Sequence, residues 1–85
     1  MNTRRLAESS WPNVAQAVAA GMTTVILPLG ATEQHGPHLP LGTDTCRAAA
    51  LAERLAERLP ALVAPVIPIG CSDEHGGFAG LLSLE

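Results

Sequence analysis

The 85-residue chain has no Tyr and no Lys, one Phe, one Trp and two Cys. Each shortage excludes something. Aromatic residues are 2% of the chain against 47% hydrophobic, so the apolar content is mostly Ala, Leu and Val. That mixture suits α/β layers rather than an aromatic-rich β-sandwich. Five Arg stand against eight acids, and the formal net charge is −3. There is no basic footprint for nucleic acid and no row of aromatics on which bases could stack. A phosphate-cradling loop is excluded as well, because no Gly-rich turn with Lys follows the first apolar run. Cys46 and Cys71 lie far apart, which matches neither a disulfide-dense secreted scaffold nor a paired-thiolate zinc knuckle. Both are expected to be reduced, with the cytosol as compartment. The opening "MNTRRLAESSWP" carries two arginines but no apolar stretch after them, so it does not read as a secretory signal. No apolar run approaches bilayer length, and a membrane is not expected as a partner. The length allows at most one small domain.

What is present is ordered. "SSWPNVAQAVAAG" reads as a short helix, with Ser10 as its cap, Pro12 in the first turn, Gly21 at its end and Val14, Ala17 and Val18 as its apolar stripe. "MTTVILPLG" is a β-branched and aliphatic run closed by Pro and Gly, the mark of a buried strand. From Asp44 to Leu59 the pattern is helical: Leu51, Leu55 and Leu59 recur every four residues, with Ala48 and Ala52 on the same side. Pro60 stops it. "ALVAPVIPIG" is a second aliphatic run whose Pro65 and Pro68 limit its ladder bonds, and "LLSLE" reads as the start of another strand. Strand, helix and strand at this spacing imply parallel strands joined by a right-handed crossover. The loops leaving the carboxyl ends of such strands, 30–43 and 70–80, then gather along one edge, where ligands bind.

The first of these loops carries the chemistry. In "LPLGATEQHGPHLPLGTDT", Leu27 to Thr45, Glu33 and His35 are two apart and share a side in extended backbone. Asp44 follows at the mouth of the helix. Carboxylate, imidazole and carboxylate are the donors that hold Zn²⁺ or Mn²⁺ with a position left open, and a carboxylate can bridge two ions. Gly30, Gly36 and Gly42 allow tight turns, and Pro37 and Pro40 stiffen the loop. Plainer roles stand beside these. Asp44 with Thr43 can equally cap the helix. His38 reads as a contact to substrate or to the ligands rather than as a ligand. His75, in "SDEHGG", either packs or faces solvent, and Asp73 and Glu74 read as solvated loop acids.

The same stretch resembles the signature of the creatininase family of metal-dependent amidohydrolases. "SWPNVAQAV" before it and "APVIPIGCSDEHGGFAGLLSL" after it resemble that family's order, so the likeness runs from about Trp11 to the last residue. "EHGGFAG" is similar to the branch that includes mycofactocin-system peptidases. The resemblance implies a three-layer α/β/α fold with a mainly parallel sheet. It implies a binuclear Zn²⁺/Mn²⁺-type centre that hydrolyses a C–N amide bond in a small cyclic amide or a peptide, in an enzyme that is a homo-oligomer. Glu33 and His35 match ligands of that centre, Asp44 matches the bridging ligand, and His75 falls at the rim of the pocket. No catalytic group beyond the metal ligands is assigned.

The family's remaining ligands, a His and a Glu on a later Asn-Gly-His type loop, have no counterpart here. Two or three parallel strands with one or two helices also leave sheet faces and edges uncovered. Residues 1–85 are therefore expected to be the N-terminal part of one creatininase-like domain, carrying part of a metal site and inactive alone. The alternative is a non-catalytic remnant that binds metal weakly or folds only with a partner chain.

Overall fold

Helix α1 spans Trp11–Ala19 in the computed structural model, which describes residues 3–84. Pro12 lies in its first turn, where a missing N–H leaves nothing unpaired. Ser10 is the N-cap as expected, but its hydroxyl makes no capping bond; its carbonyl instead accepts from the Val14 N–H at 3.1 Å. At the other end Gly21 adopts φ 103°. The Met22 N–H reaches back to the Ala17 carbonyl at 2.9 Å and the Gly21 N–H to the Val18 carbonyl at 3.0 Å. This double closure needs the left-handed residue that glycine supplies.

Strand β1 (Thr24–Ile26) pairs in parallel with β2 (Ala61–Val63), in the register Thr24↔Ala61, Val25↔Leu62 and Ile26↔Val63. Helix α2 (Thr43–Ala56) makes the crossover, so the strand–helix–strand unit forms as its spacing predicts. The helix ends at Ala56, a turn before the expected Leu59. The Arg4 guanidinium donates to the carbonyls of Ala56, Leu59 and Ala61 at 3.0–3.1 Å. A helix end leaves such carbonyls without internal partners, and a cation suits the negative end of the helix dipole. Arg5 is tied to Glu8 and Glu53; its bonds to these two carboxylates hold its pKa above the ordinary arginine range.

The core differs from the one the leucine spacing suggests. Ala52 and Ala56, each 2% exposed, pack with Val63 against Ile26, whereas Leu51 is 60% exposed and Leu55 and Leu59 are exposed as well. Adjacent helix positions lie about 100° apart, so the alanines at 52 and 56 and the leucines at 51 and 55 cannot both face the two strands. The small side chains face them, letting the helix sit close, and the leucines flank them. Leu51 and Leu55 line an open apolar groove with Ile26, Leu27 and Leu29.

The run from Met22 to Gly30 is likewise strand only over three residues, and Val25, Leu27 and Leu29 are exposed. All of β2 is buried. The Val63 N–H bonds to the Arg4 carbonyl at 2.8 Å, so the N-terminal segment covers the outer edge of β2. Beyond Pro65 the pairing resumes as a single parallel bridge, Leu29↔Ile67. The expected last strand is also reduced to bridges, Thr32↔Leu82 and Gly70↔Ser83, because residues 82–84 are wedged between two loops and bond to each in turn. Glu85 lies outside the described residues. The resulting slab measures 48 × 24 × 16 Å with a radius of gyration of 15.6 Å, against about 12 Å for a compact chain of this length.

Candidate metal centre

The loop leaving β1 is fastened at three points before any candidate ligand is placed. The Gly30 N–H bonds to the Ile67 carbonyl at 2.8 Å. The Ala31 N–H donates to Thr45 Oγ1 at 3.1 Å, and the same hydroxyl donates to the Ala31 carbonyl at 2.8 Å. The Glu33 N–H closes the far side on the Leu41 carbonyl at 3.2 Å. Gly30 permits this approach, since a Cβ there would run into the backbone and side chain of Thr45. Gly36 adopts φ 81°, and a Cβ on it would meet the His38 ring at 2.9 Å.

On this frame His35 Nδ1 faces Asp44 Oδ1 at 3.8 Å. The separation exceeds the limit of about 3.2 Å for a direct hydrogen bond. Donors sharing an ion at bond lengths near 2.1 Å sit about 3.0–3.5 Å apart, so the two side chains would have to approach slightly to share one. Imidazole and carboxylate are also the donor types that Zn²⁺ and Mn²⁺ accept. Asp44 lies in the first turn of α2, with Gly42 as N-cap and no side-chain cap bond. Its carboxylate faces His35, and its charge suits the positive end of the helix.

Glu33 points elsewhere. Its Oε1 lies 3.6 Å from His75 Nε2, and its side chain is 14% exposed. Glu33, Glu74 and His75 form the one group of three or more donor side chains among the described residues whose ligand atoms all lie within 4.8 Å. The three sequence-nominated donors therefore do not gather at one point. His35 pairs with Asp44, and Glu33 turns toward His75. His38 is exposed and rests over Gly36. An open groove of about 700 Å³ reaches Asp44 but none of the other candidate donors, so it is a bare flank of α2 rather than a substrate pocket.

Three further residues stand at the site: two that were not nominated, and Glu74, which was expected to be a solvated loop acid. Gln34 Nε2 lies 2.9 Å from His75 Nδ1, Glu74 reaches within 3.8 Å of His75 Nε2, and Thr45 clamps the loop. The available signal for Gln34 was its place between two candidate ligands; for Thr45, its place directly after a third. Glu74 stands directly before His75, and its side chain is 69% exposed, as expected of a solvated loop acid.

The comparisons with known proteins identify the family. A family model described as "Creatininase: Creatinine amidohydrolase" matches residues 7–85. A mycofactocin precursor peptide peptidase of Mycobacterium tuberculosis (strain CDC 1551 / Oshkosh) is 48% identical over 71 residues, 72% of this chain and 28% of the relative. A creatinine amidohydrolase of Pseudomonas putida is 39% identical over 83 residues, 92% of this chain and 32% of the relative. The fold superposes on the crystal structure of a creatinine amidohydrolase with a TM-score of 0.90 at 33% identity, covering 100% of this chain and 35% of that one. Zn–Zn and Mn forms of creatininase superpose with a TM-score of 0.89 over 35% of their length, at 33% and 34% identity and over 100% and 99% of this chain. The chain belongs to the creatininase family, and it has the fold of that family's N-terminal part. It spans about a third or less of the length of these relatives. Among the described residues no helix is long and apolar enough to cross a membrane.

Proposed function

We propose that these residues form part of the metal site of an amidohydrolase that cleaves a C–N amide bond in a small cyclic amide or a peptide. The observation that carries the proposal is the His35–Asp44 pair, two ligating atoms facing each other across 3.8 Å on a loop fastened at both ends. His35 and Asp44 would hold one divalent ion, Zn²⁺ or Mn²⁺, and Glu33 with the second oxygen of Asp44 would contribute to another. Such ions supply Lewis acidity toward an amide carbonyl and toward water. The chain's own part is to set the donors in place beforehand. Thr45 fixes the distance between the segments bearing Glu33 and Asp44, and the closed loop keeps His35 from swinging away. The names of the relatives support both substrate types, a peptide in one and creatinine in the other.

The test is His35→Ala and Asp44→Ala in the polypeptide as its source cells make it. Metal content by mass spectrometry and hydrolysis of creatinine and of a precursor-type peptide are then measured. Both variants are expected to lose tightly bound metal and activity together, and metal retained at full stoichiometry in both overturns the assignment.

The open faces of β1 and α2 favour a wider assignment as well: residues 1–85 are the N-terminal part of one creatininase-like domain, and the rest of that domain covers Val25, Leu27, Leu29 and Leu51. The competing reading is a non-catalytic remnant that folds against a partner chain. The intact mass of the native product separates the two. A mass well above 8.8 kDa supports the domain, and a mass equal to it supports the remnant.

A further inference from the structure

One chain of hydrogen bonds decides which nitrogen of His75 carries its proton. The Gly36 N–H donates to Gln34 Oε1 at 2.9 Å, which fixes the Gln34 amide with its oxygen toward the loop backbone. Its NH₂ end is then the atom 2.9 Å from His75 Nδ1. An amide NH₂ has only protons to give, so Nδ1 must accept. The proton of the neutral ring therefore sits on Nε2, the nitrogen that faces Glu33 Oε1 at 3.6 Å and Glu74 Oε1 at 3.8 Å.

We infer that Gln34 and His75 are a positioning pair: Gln34 locks His75 in the Nε2–H form, and His75 steadies one oxygen of Glu33 so that the other is presented to a metal ion. The inference rests on the reading of Glu33 as a metal ligand and deepens it. It also decides against the other use of the cluster. Glu33, Glu74 and His75 are close enough to hold an ion among themselves, but a His75 ring that accepts from Gln34 at Nδ1 and carries hydrogen at Nε2 has no lone pair left for a metal. Ligating carboxylates are commonly held by such hydrogen-bonding partners, and loss of one costs about 10–100-fold in metal affinity. The 3.6 Å separation is longer than a direct bond, and a direct bond would require the partly buried carboxylate to rotate toward Nε2.

Gln34→Glu is the sharpest probe. The new carboxylate still accepts from the Gly36 N–H at nearly unchanged size, but toward His75 it only accepts, so Nδ1 must carry a hydrogen and the neutral ring becomes the Nδ1–H tautomer. Long-range proton–nitrogen correlation spectra of the ¹⁵N-labelled polypeptide, as its cells make it, read the tautomer directly at a pH where imidazoles are neutral. The native protein is expected to show the Nε2–H pattern for His75 and the Gln34→Glu variant the Nδ1–H pattern. Zn²⁺ and Mn²⁺ affinity, measured by competition with a chelator, is expected to fall about 10–100-fold in the variant. His75→Gln, which restores an N–H donor near Glu33, is expected to keep more affinity than His75→Leu. An Nδ1–H tautomer in the native protein overturns the inference, as does unchanged metal affinity in Gln34→Glu. A native protein with the Nε2–H tautomer but no affinity for either metal would instead overturn the ligand reading beneath it.

Discussion

The Thr45 hydroxyl and the Ala31 backbone are joined twice, by an N–H donated to Oγ1 at 3.1 Å and by the hydroxyl donated to the carbonyl at 2.8 Å. Ala31 stands two residues before Glu33 and Thr45 one residue after Asp44, so this double bond sets the distance between two candidate ligands. Thr45→Val keeps the shape and removes both bonds, leaving a part-buried N–H and carbonyl without partners. The expected cost is about 1–3 kcal/mol of stability, read by denaturant unfolding, together with weaker metal binding. Thr45→Ser should restore most of both. A Thr45→Val protein as stable as the original would show that the clamp does not hold the loop.

Arg4 makes three hydrogen bonds to carbonyls at and just beyond the end of α2, those of Ala56, Leu59 and Ala61. Arg4→Ala is expected to destabilise by about 1–3 kcal/mol, because charged donors and the helix dipole both contribute there. Arg4→Lys, with a single compact ammonium, should recover only part of the loss. Thermal unfolding of the three proteins in parallel checks the ranking. Equal midpoints for Arg4→Ala and the unaltered protein would remove Arg4 from the account of this helix end.

Ala52 and Leu51 are neighbours in sequence with opposite surroundings, one 2% and the other 60% exposed. Ala52→Leu forces a larger side chain between α2 and the strands and should cost about 1–3 kcal/mol. Leu51→Ala distinguishes whether further protein covers the open face. In the polypeptide as its cells make it, the expected loss is about 2–5 kcal/mol, the range for a buried leucine. A change within about 0.5 kcal/mol would mean the face meets water and would count against the proposed remainder of the domain.

The features legible in the sequence were those set by neighbours along the chain. Pro12 and Gly21 bound α1 because their effects on φ act within one turn. The parallel pairing of β1 and β2 followed from the length of the segment between them, which demands a crossover. Glu33, His35 and Asp44 stood out because ligand types at short spacing are visible in a linear string. The leucine row of α2 misled for a physical reason: periodicity reports that a face is apolar, not what it meets, and here alanines one position on occupy the contact with the strands. "LLSLE" misled similarly, since β-propensity does not say whether a partner strand is present.

The sequence by itself determined the order of helix and strand, the rigid Gly/Pro loop and the donor types it carries. Only the tertiary structure decided how those donors divide, His35 with Asp44 and Glu33 with His75. The parallel crossover brings the loops after both strands to one edge, so a histidine 42 residues from Glu33 in the chain lies 3.6 Å from it in space. Tautomer, orientation and pairing at that point depend on contacts that no local pattern encodes.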